Sequence, residues 1–146
     1  MAGPTTIIAH NSGGYRVEVD VGGHTIIGDE PTEFGGTDAG PDPYGLLVAA
    51  VGACTAMTVR MYAQRKQWPL GNVTITLKHS RSHAEDDRLC ENLPVRLDQI
   101  DMVVQLDGEL TPEQRARMLE IAARCPLHRT LGAGVRIAMH DAAQQP

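Results

Sequence analysis

Three cysteines, Cys54, Cys90 and Cys125, carry the most reactive side chains in this sequence. A thiolate is both a nucleophile and a metal ligand, and its formation depends on burial and on nearby positive charge. Cys125 opens the run Cys125-Pro126-Leu127-His128-Arg129-Thr130-Leu131, in which proline takes the first position expected of a helix. A cysteine at such an N-cap meets unpaired backbone N–H groups and the positive end of the helix dipole, and both favour an anionic sulfur. His128, Arg124 and Arg129 are available to add positive charge. The plainer alternative is a cysteine that merely caps the helix while His128 faces solvent.

Cys54 lies in the middle of a long apolar segment, on a stripe with Leu47, Val51, Met57 or Thr58, and Met61. From that segment alone a packed core thiol is the favoured reading. Cys125-x-x-His128 also has metal-ligand spacing, with His79, His83 and Cys90 as candidates to complete a site. These residues are scattered rather than gathered into two knuckles, so no metal is expected. The sequence has no G-x-S-x-G elbow, phosphate-binding loop, dinucleotide fingerprint or H-E-x-x-H helix, and no organic cofactor is expected either. Asp29, Glu30 and Glu33 fall in the polar run GDEPTEFGGTDAGPDP, where solvated carboxylates in a flexible loop are the expectation.

The elements that must position these groups are legible in outline. Residues 15–27, YRVEVDVGGHTII, alternate around Gly22-Gly23 and predict a hairpin with a tight turn. Asp42 and Pro43 supply an N-cap and a first-turn proline for a helix running to Lys66 or Gln67. Pro43 to Val59 carries no charge, so this helix is expected to be central and covered on most of its circumference. The uncharged run falls short of the ~20 residues that span a bilayer, and no membrane association is expected. Period-two segments at Val73–Leu77 and Ile100–Leu106 predict strands, separated by the polar connection SRSHAEDDRLCENLP. Thr111-Pro112-Glu113-Gln114 is a capping box for a helix ending near Arg124. A short helix begins at Cys125, and Val135 to Met139 predicts a closing strand. The fold class is α+β, a mostly antiparallel sheet packed on one long central buried helix.

A chain of 146 residues is of ordinary size for one domain, and residues 1–146 are read as one. Apolar residues make up 42% and charged residues 21%, which argues against extensive disorder. The net charge of −5, the absence of a basic cluster and the scarcity of aromatics argue against nucleic acid as a partner. Three widely spaced cysteines do not make a secreted disulfide framework, and the opening MAGPTTIIAHNSGG lacks a signal pattern. A cytoplasmic location is expected.

Two segments together carry a resemblance: GGTDAGPDPYGLLVAAVGACTAMTVRMYA, with a cysteine ten residues after Tyr44, and AARCPLHRTL. In this order they resemble the OsmC/Ohr family, the osmotically inducible and organic hydroperoxide resistance proteins, over nearly the whole chain. The resemblance implies an intertwined homodimer of α+β subunits and a cysteine-based peroxidase. In that reading Cys54 attacks an organic hydroperoxide and becomes a sulfenic acid, Cys125 resolves it as a disulfide, and a thiol reductant restores the pair. Cys90 has no counterpart. Peroxide-reducing relatives carry a glutamate where this chain has Tyr44, paired with an arginine from an N-terminal loop, and Arg16 is the only arginine nearby. Tyr44, His128 and Arg129 are therefore the candidate supporting groups. The alternative is a non-peroxidatic dimeric module of the same scaffold that binds a small apolar ligand or serves in a stress response.

Overall fold

The computed structural model describes residues 6–83 and 96–142. Its elements are β1 (Ile7–His10), β2 (Val17–Val21), β3 (His24–Gly28), α1 (Pro43–Lys66), β4 (Val73–His83), β5 (Arg96–Leu106), α2 (Pro112–Ala122) and α3 (Pro126–Ala133). Antiparallel strands and three helices give the α+β class expected from the sequence. They pack as two compact units, one of Met1–Ala50 with Leu77–Asp101 and one of Val51–Thr76 with Met102–Pro146.

The first unit is built on a meander in sheet order β1-β2-β3. The expected β2–β3 hairpin turns through Gly22 and Gly23, with Val21 opposite His24. Both glycines have positive φ, 59° and 86°, the two-residue geometry that matches strand twist. β1 was not expected; it pairs antiparallel with β2, Ile7 opposite Val21.

The loop that follows β3 corrects one expectation. Asp29 is not solvated: it is 2% exposed, and its carboxylate organises the segment that leads into α1. Oδ2 accepts from the Thr37 hydroxyl at 2.5 Å, from Thr37 N at 3.0 Å and from Ala39 N at 3.1 Å. Oδ1 accepts from Glu30 N at 2.8 Å. The Thr37 hydroxyl is the largest influence on the acid; it outweighs the cost of burial and, with the three N–H donors, holds the pKa down at about 2. Such a tight wrap demands glycine at Gly36 and Gly40, where a Cβ would collide with the carbonyls of Glu30 and Ile27. At the loop's end Asp42 caps α1 through Gly45 N, as expected. The Tyr44 ring stacks on the His79 imidazole of β4, centroids 4.5 Å apart.

The second unit holds the apolar core. Val59 and Ala63 of α1 pack with Leu106 of β5 and with Met118 and Ala122 of α2, flanked by Tyr62, Trp68, Leu70, Val73, Val104 and Leu110. α1 ends at Lys66 in a Schellman motif: Gln67, at φ 54°, donates to Gln64 O while Trp68 N donates to Ala63 O. The Arg60 guanidinium then binds the carbonyls of Leu70 and Gly71. Gly71 N donates to Asp107 O and Asp107 N to Asn72 O, which sets the start of β4 beside the end of β5. α2 opens with the expected capping box of Thr111 and Gln114.

Three further expectations need correction. The buried stripe of α1 is Val51, Thr55, Val59 and Ala63 at four-residue steps, while Met57 (65% exposed), Met61 and Leu47 lie outside it. That one chain covers only one face of this helix agrees with the expectation that a single subunit cannot cover so long an uncharged helix on every side. By length and composition the helix also meets the requirement for a membrane span, a test that a soluble core helix passes equally. β4 and β5 run further than the alternating segments, to His83 and from Arg96, because strand pairing continues where the apolar alternation stops. The connection between them, with Cys90, lies outside the described residues. Residues 134–140 form no strand, and Ile137 and Met139 are 88% and 93% exposed. A strand needs a neighbouring edge, and among the described strands none pairs with this segment.

The Asp29 carboxylate has a folded pKa below the ordinary value of 3.8. Its contribution to stability is present above that value and is lost as pH falls through about 2. Asp29→Asn should lower the melting temperature at pH 7 and remove part of the acid dependence between pH 4 and 2. Thermal unfolding followed by circular dichroism checks this, and identical pH profiles for both proteins would contradict it.

Candidate active site

Cys54 and Cys125 come together in the second unit. Cys125 is the N-cap of α3, as the Cys-Pro sequence predicts, with Pro126 at the first helical position. Its sulfur accepts from the backbone N–H of His128 at 3.4 Å. The residue is fully buried, at 0% exposure. Cys54 is half-buried, and both thiols are free.

Opposing forces act on the Cys125 sulfur. Burial is the largest and pushes the thiol pKa up; against it, the Thr55 hydroxyl, the His128 N–H, the Cys54 thiol and the Leu127 N–H all stabilise the anion. Together the four donors prevail, and Cys125 ionises below the ordinary cysteine value. Cys54 is among the groups that act on this sulfur, so the two cysteines are neighbours.

Thr55 is the functional candidate that the sequence reading missed. It stands on the buried stripe of α1, four residues from Val51 and from Val59, where an apolar side chain is the norm. Its Oγ1 is sealed from solvent and has no hydrogen-bond partner. Cys125 is the nearby ionisable group that this hydroxyl influences. An unmet buried hydroxyl costs on the order of 1–3 kcal/mol, so its placement here calls for a reason. The available signal was a lone hydroxyl at a core position beside a cysteine. The Thr58 hydroxyl, by contrast, folds back on its own helix and donates to Cys54 O at 2.8 Å.

The candidate supporting residues take other places. Tyr44 belongs to the first unit, where its ring partner is His79. Arg16 precedes β2 and pairs with Glu18 at 2.8 Å on the exposed surface. His128 assists through its backbone N–H, and its residue is exposed. Arg129 is exposed too, and its N–H makes the helical bond to Cys125 O. Arg124 and Arg65 line a cavity of about 190 Å³ with Thr58, Met61, Tyr62 and Ile121. Among the described residues no group of three or more histidine, cysteine or acidic side chains is placed to hold a metal ion.

This arrangement suits thiol chemistry: a half-buried sulfur beside a buried one whose pKa is lowered. A family model for OsmC-like proteins matches residues 36–140. No curated protein sequence matches the chain significantly. Among solved structures it is similar to an OsmC-like protein from Mycoplasma pneumoniae, at 19% identity and a TM-score of 0.72 over 90% of this chain and 89% of that one. It is also similar to an organic hydroperoxide resistance protein of Bacillus subtilis, at 19% identity and a TM-score of 0.59 over 86% and 88%. A third similar structure is an organic hydroperoxide resistance protein from Legionella pneumophila, at 18% identity and 0.62 over 88% and 89%. At such identities the neighbours establish the fold, and the family match covers most of the chain, including Cys54, Cys125 and the last part of the loop ahead of α1. On that evidence the chain belongs to the family of OsmC-like proteins.

Proposed function

We propose that this protein is a thiol-dependent peroxidase for organic hydroperoxides, acting in the cytoplasm as a homodimer in an oxidative stress response. The observation that carries the reading is the placement of a half-buried Cys54 near a buried Cys125 that caps α3. Cys54, the more accessible sulfur, attacks the terminal peroxide oxygen. The O–O bond breaks, the alkoxide takes the proton that Cys54 has lost and departs as an alcohol, and Cys54 is left as a sulfenic acid. Cys125 then attacks the Cys54 sulfur, and water leaves as the disulfide forms. A thiol reductant, by exchange, returns both residues to thiols. Two of the similar structures are named organic hydroperoxide resistance proteins, which supports the same substrate class.

The second reading, a ligand-binding module without peroxidase activity, has its own supporting observations. Position 44 offers a phenol in place of a carboxylate, and Arg16 is engaged with Glu18. The first unit also has an apolar cavity of about 280 Å³, lined by Tyr15, Val17, Val19 and Leu46 among others, of a size for a small apolar ligand.

The homodimer rests on uncovered apolar surface. Met57 and Met61 on α1, and Leu131, Val135, Ile137 and Met139 near the C-terminus, are all exposed in one chain. A second copy that covers them accounts for their types and for the unpaired segment after α3.

Dilution to nanomolar concentration with sedimentation analysis is expected to show a dimer, or unfolding coupled to dissociation; a stable folded monomer would contradict the obligate homodimer. For the chemistry, thiols are counted before and after one equivalent of cumene hydroperoxide without reductant. The peroxidase reading expects rapid loss of two thiols per chain, loss of all reactivity in Cys54→Ser, and a sulfenic acid trapped by dimedone in Cys125→Ser. Consumption no faster than that of an ordinary free thiol favours the ligand-binding reading.

A further inference from the structure

We propose that the second unit carries a binding site for a small carboxylate with an apolar body, held between Arg65 at the end of α1 and Arg124 just past α2. The site is the cavity of about 190 Å³ that the thiol chemistry leaves unused. Its walls follow from helix periodicity. Thr58, Met61, Tyr62 and Arg65 lie at three- and four-residue steps along one face of α1, and Ile121 and Arg124 are three residues apart at the end of α2. Met61 and Ile121 give the cavity apolar wall, the arginines give it charge, and no acidic side chain lines it.

The state of the nearby cations singles this cavity out. Lys66 lies over the Tyr62 ring, its Nζ 5.9 Å from the centroid, and Arg117 donates to Tyr62 Oη at 3.3 Å and to Glu120 at 2.6 Å. Arg65 and Arg124, by contrast, have neither an ion-pair nor a side-chain hydrogen-bond partner among the described residues. The helix dipole accounts for a cation in the last turn of α1. At Arg124 the same effect is opposed, because the positive N-terminus of α3 begins one residue on. Tyr62 Oη accepts from Arg117, which leaves the phenol its own proton to donate to an anion. The unit as a whole favours the same sign: residues 51–76 and 102–146 carry eight basic and five acidic side chains, a positive surplus in a chain of net charge −5.

The class of ligand follows from the walls. Guanidinium groups match the two oxygens of a carboxylate with paired N–H donors. The apolar wall calls for a body that acetate or inorganic phosphate lacks. Volume sets the upper bound, since about 190 Å³ is smaller than the ~300–1,000 Å³ of pockets for drug-sized ligands and holds roughly six groups of the ~30 Å³ that a water occupies. A carboxylate on a short alkyl chain or a single aromatic ring meets these conditions. Neither cysteine lines the cavity, so the inference stands apart from the peroxidase reading.

Equilibrium dialysis of the reduced protein against radiolabelled hexanoate tests the site. The expected result is one saturable site per chain with half-saturation below about 1 mM. Hexanol, which lacks the charge, and acetate, which lacks the body, should compete at least about tenfold less well, and rising salt should weaken the binding of hexanoate. Arg65→Gln and Arg124→Gln are each expected to weaken it about tenfold. Lys66→Gln, which removes a neighbouring cation already engaged with Tyr62, should leave it unchanged. Folding is checked by circular dichroism, and should Arg124→Gln fail to fold, Arg124→Lys is read in its place, with weaker binding expected from loss of the planar fork. Absence of saturable uptake, hexanol competing as well as hexanoate, or folded arginine variants that bind like the wild type would overturn the proposal. Met61 also belongs to the surface assigned above to a second copy, and a dimer that closed the cavity would abolish uptake and overturn it equally. Hydroperoxide turnover, measured separately, bears on the peroxidase reading alone.

Discussion

The burial of one stripe of α1 is the constraint on which the second unit depends. Val51, Thr55, Val59 and Ala63 repeat every four residues, and Val59 and Ala63 seat the helix against β5 and α2. Once that face is fixed, the rotation of the helix is fixed, and so is the direction of every other side chain on it. Cys54, one residue before a stripe position, is held at the edge of the core and not inside it. Thr55 is the single polar member of the stripe. The packing that stabilises the helix therefore also buries a hydroxyl in the core near Cys125, and a mutation that rotated α1 would disturb the thiols without touching them.

The chemistry at Cys125 is a contest between burial and hydrogen bonding, and neither can be read alone. A sulfur at 0% exposure in an apolar pocket would be a poor acid. Its position at the N-cap of α3 supplies backbone donors, but a cap cysteine in solvent would gain little from them. The combination matters: desolvation strengthens the same donors that must overcome it. The family resemblance frames Cys125 as the partner of Cys54. The local physics adds that the N-cap of α3 sets a backbone donor on that partner's sulfur, and that the glutamate–arginine pair which the resemblance leads one to expect has no counterpart at position 44. Tyr44 stacks on His79, and Arg16 meets Glu18 at the surface, so neither residue is free to reproduce that pair.

Much of this was legible because the decisive signals were local. The Asp42 cap, the capping box of Thr111 and Gln114, the Gly22-Gly23 turn and the Cys125 cap each depend on a few consecutive residues, and each formed where the sequence places it. What depended on contacts distant in sequence was not legible. Asp29 reads as a solvated loop acid until Thr37 and Ala39 fold back on it. Gln67 gives no sign of a left-handed helix terminus, for which glycine is the usual marker. The length of β4 and β5 comes from their pairing, not from their alternation. Val135 to Met139 has the pattern of a strand, but a strand also needs an edge to join, and one chain leaves the segment exposed. Thr55 was passed over because a threonine in an apolar helix reads as dilution of the hydrophobic run, and only its four-residue spacing from Val51 and Val59 marks it as buried.

The proposed function requires Cys54 and Cys125 to form one redox pair. Peptide mapping by mass spectrometry under non-reducing conditions, after a single equivalent of organic hydroperoxide, tests it most directly. The prediction is a disulfide-linked peptide joining Cys54 to Cys125 within one chain, accumulating in proportion to alcohol produced. A linkage through Cys90, a Cys54–Cys54 bridge between chains, or hydroperoxide consumption with both thiols still reduced would contradict it.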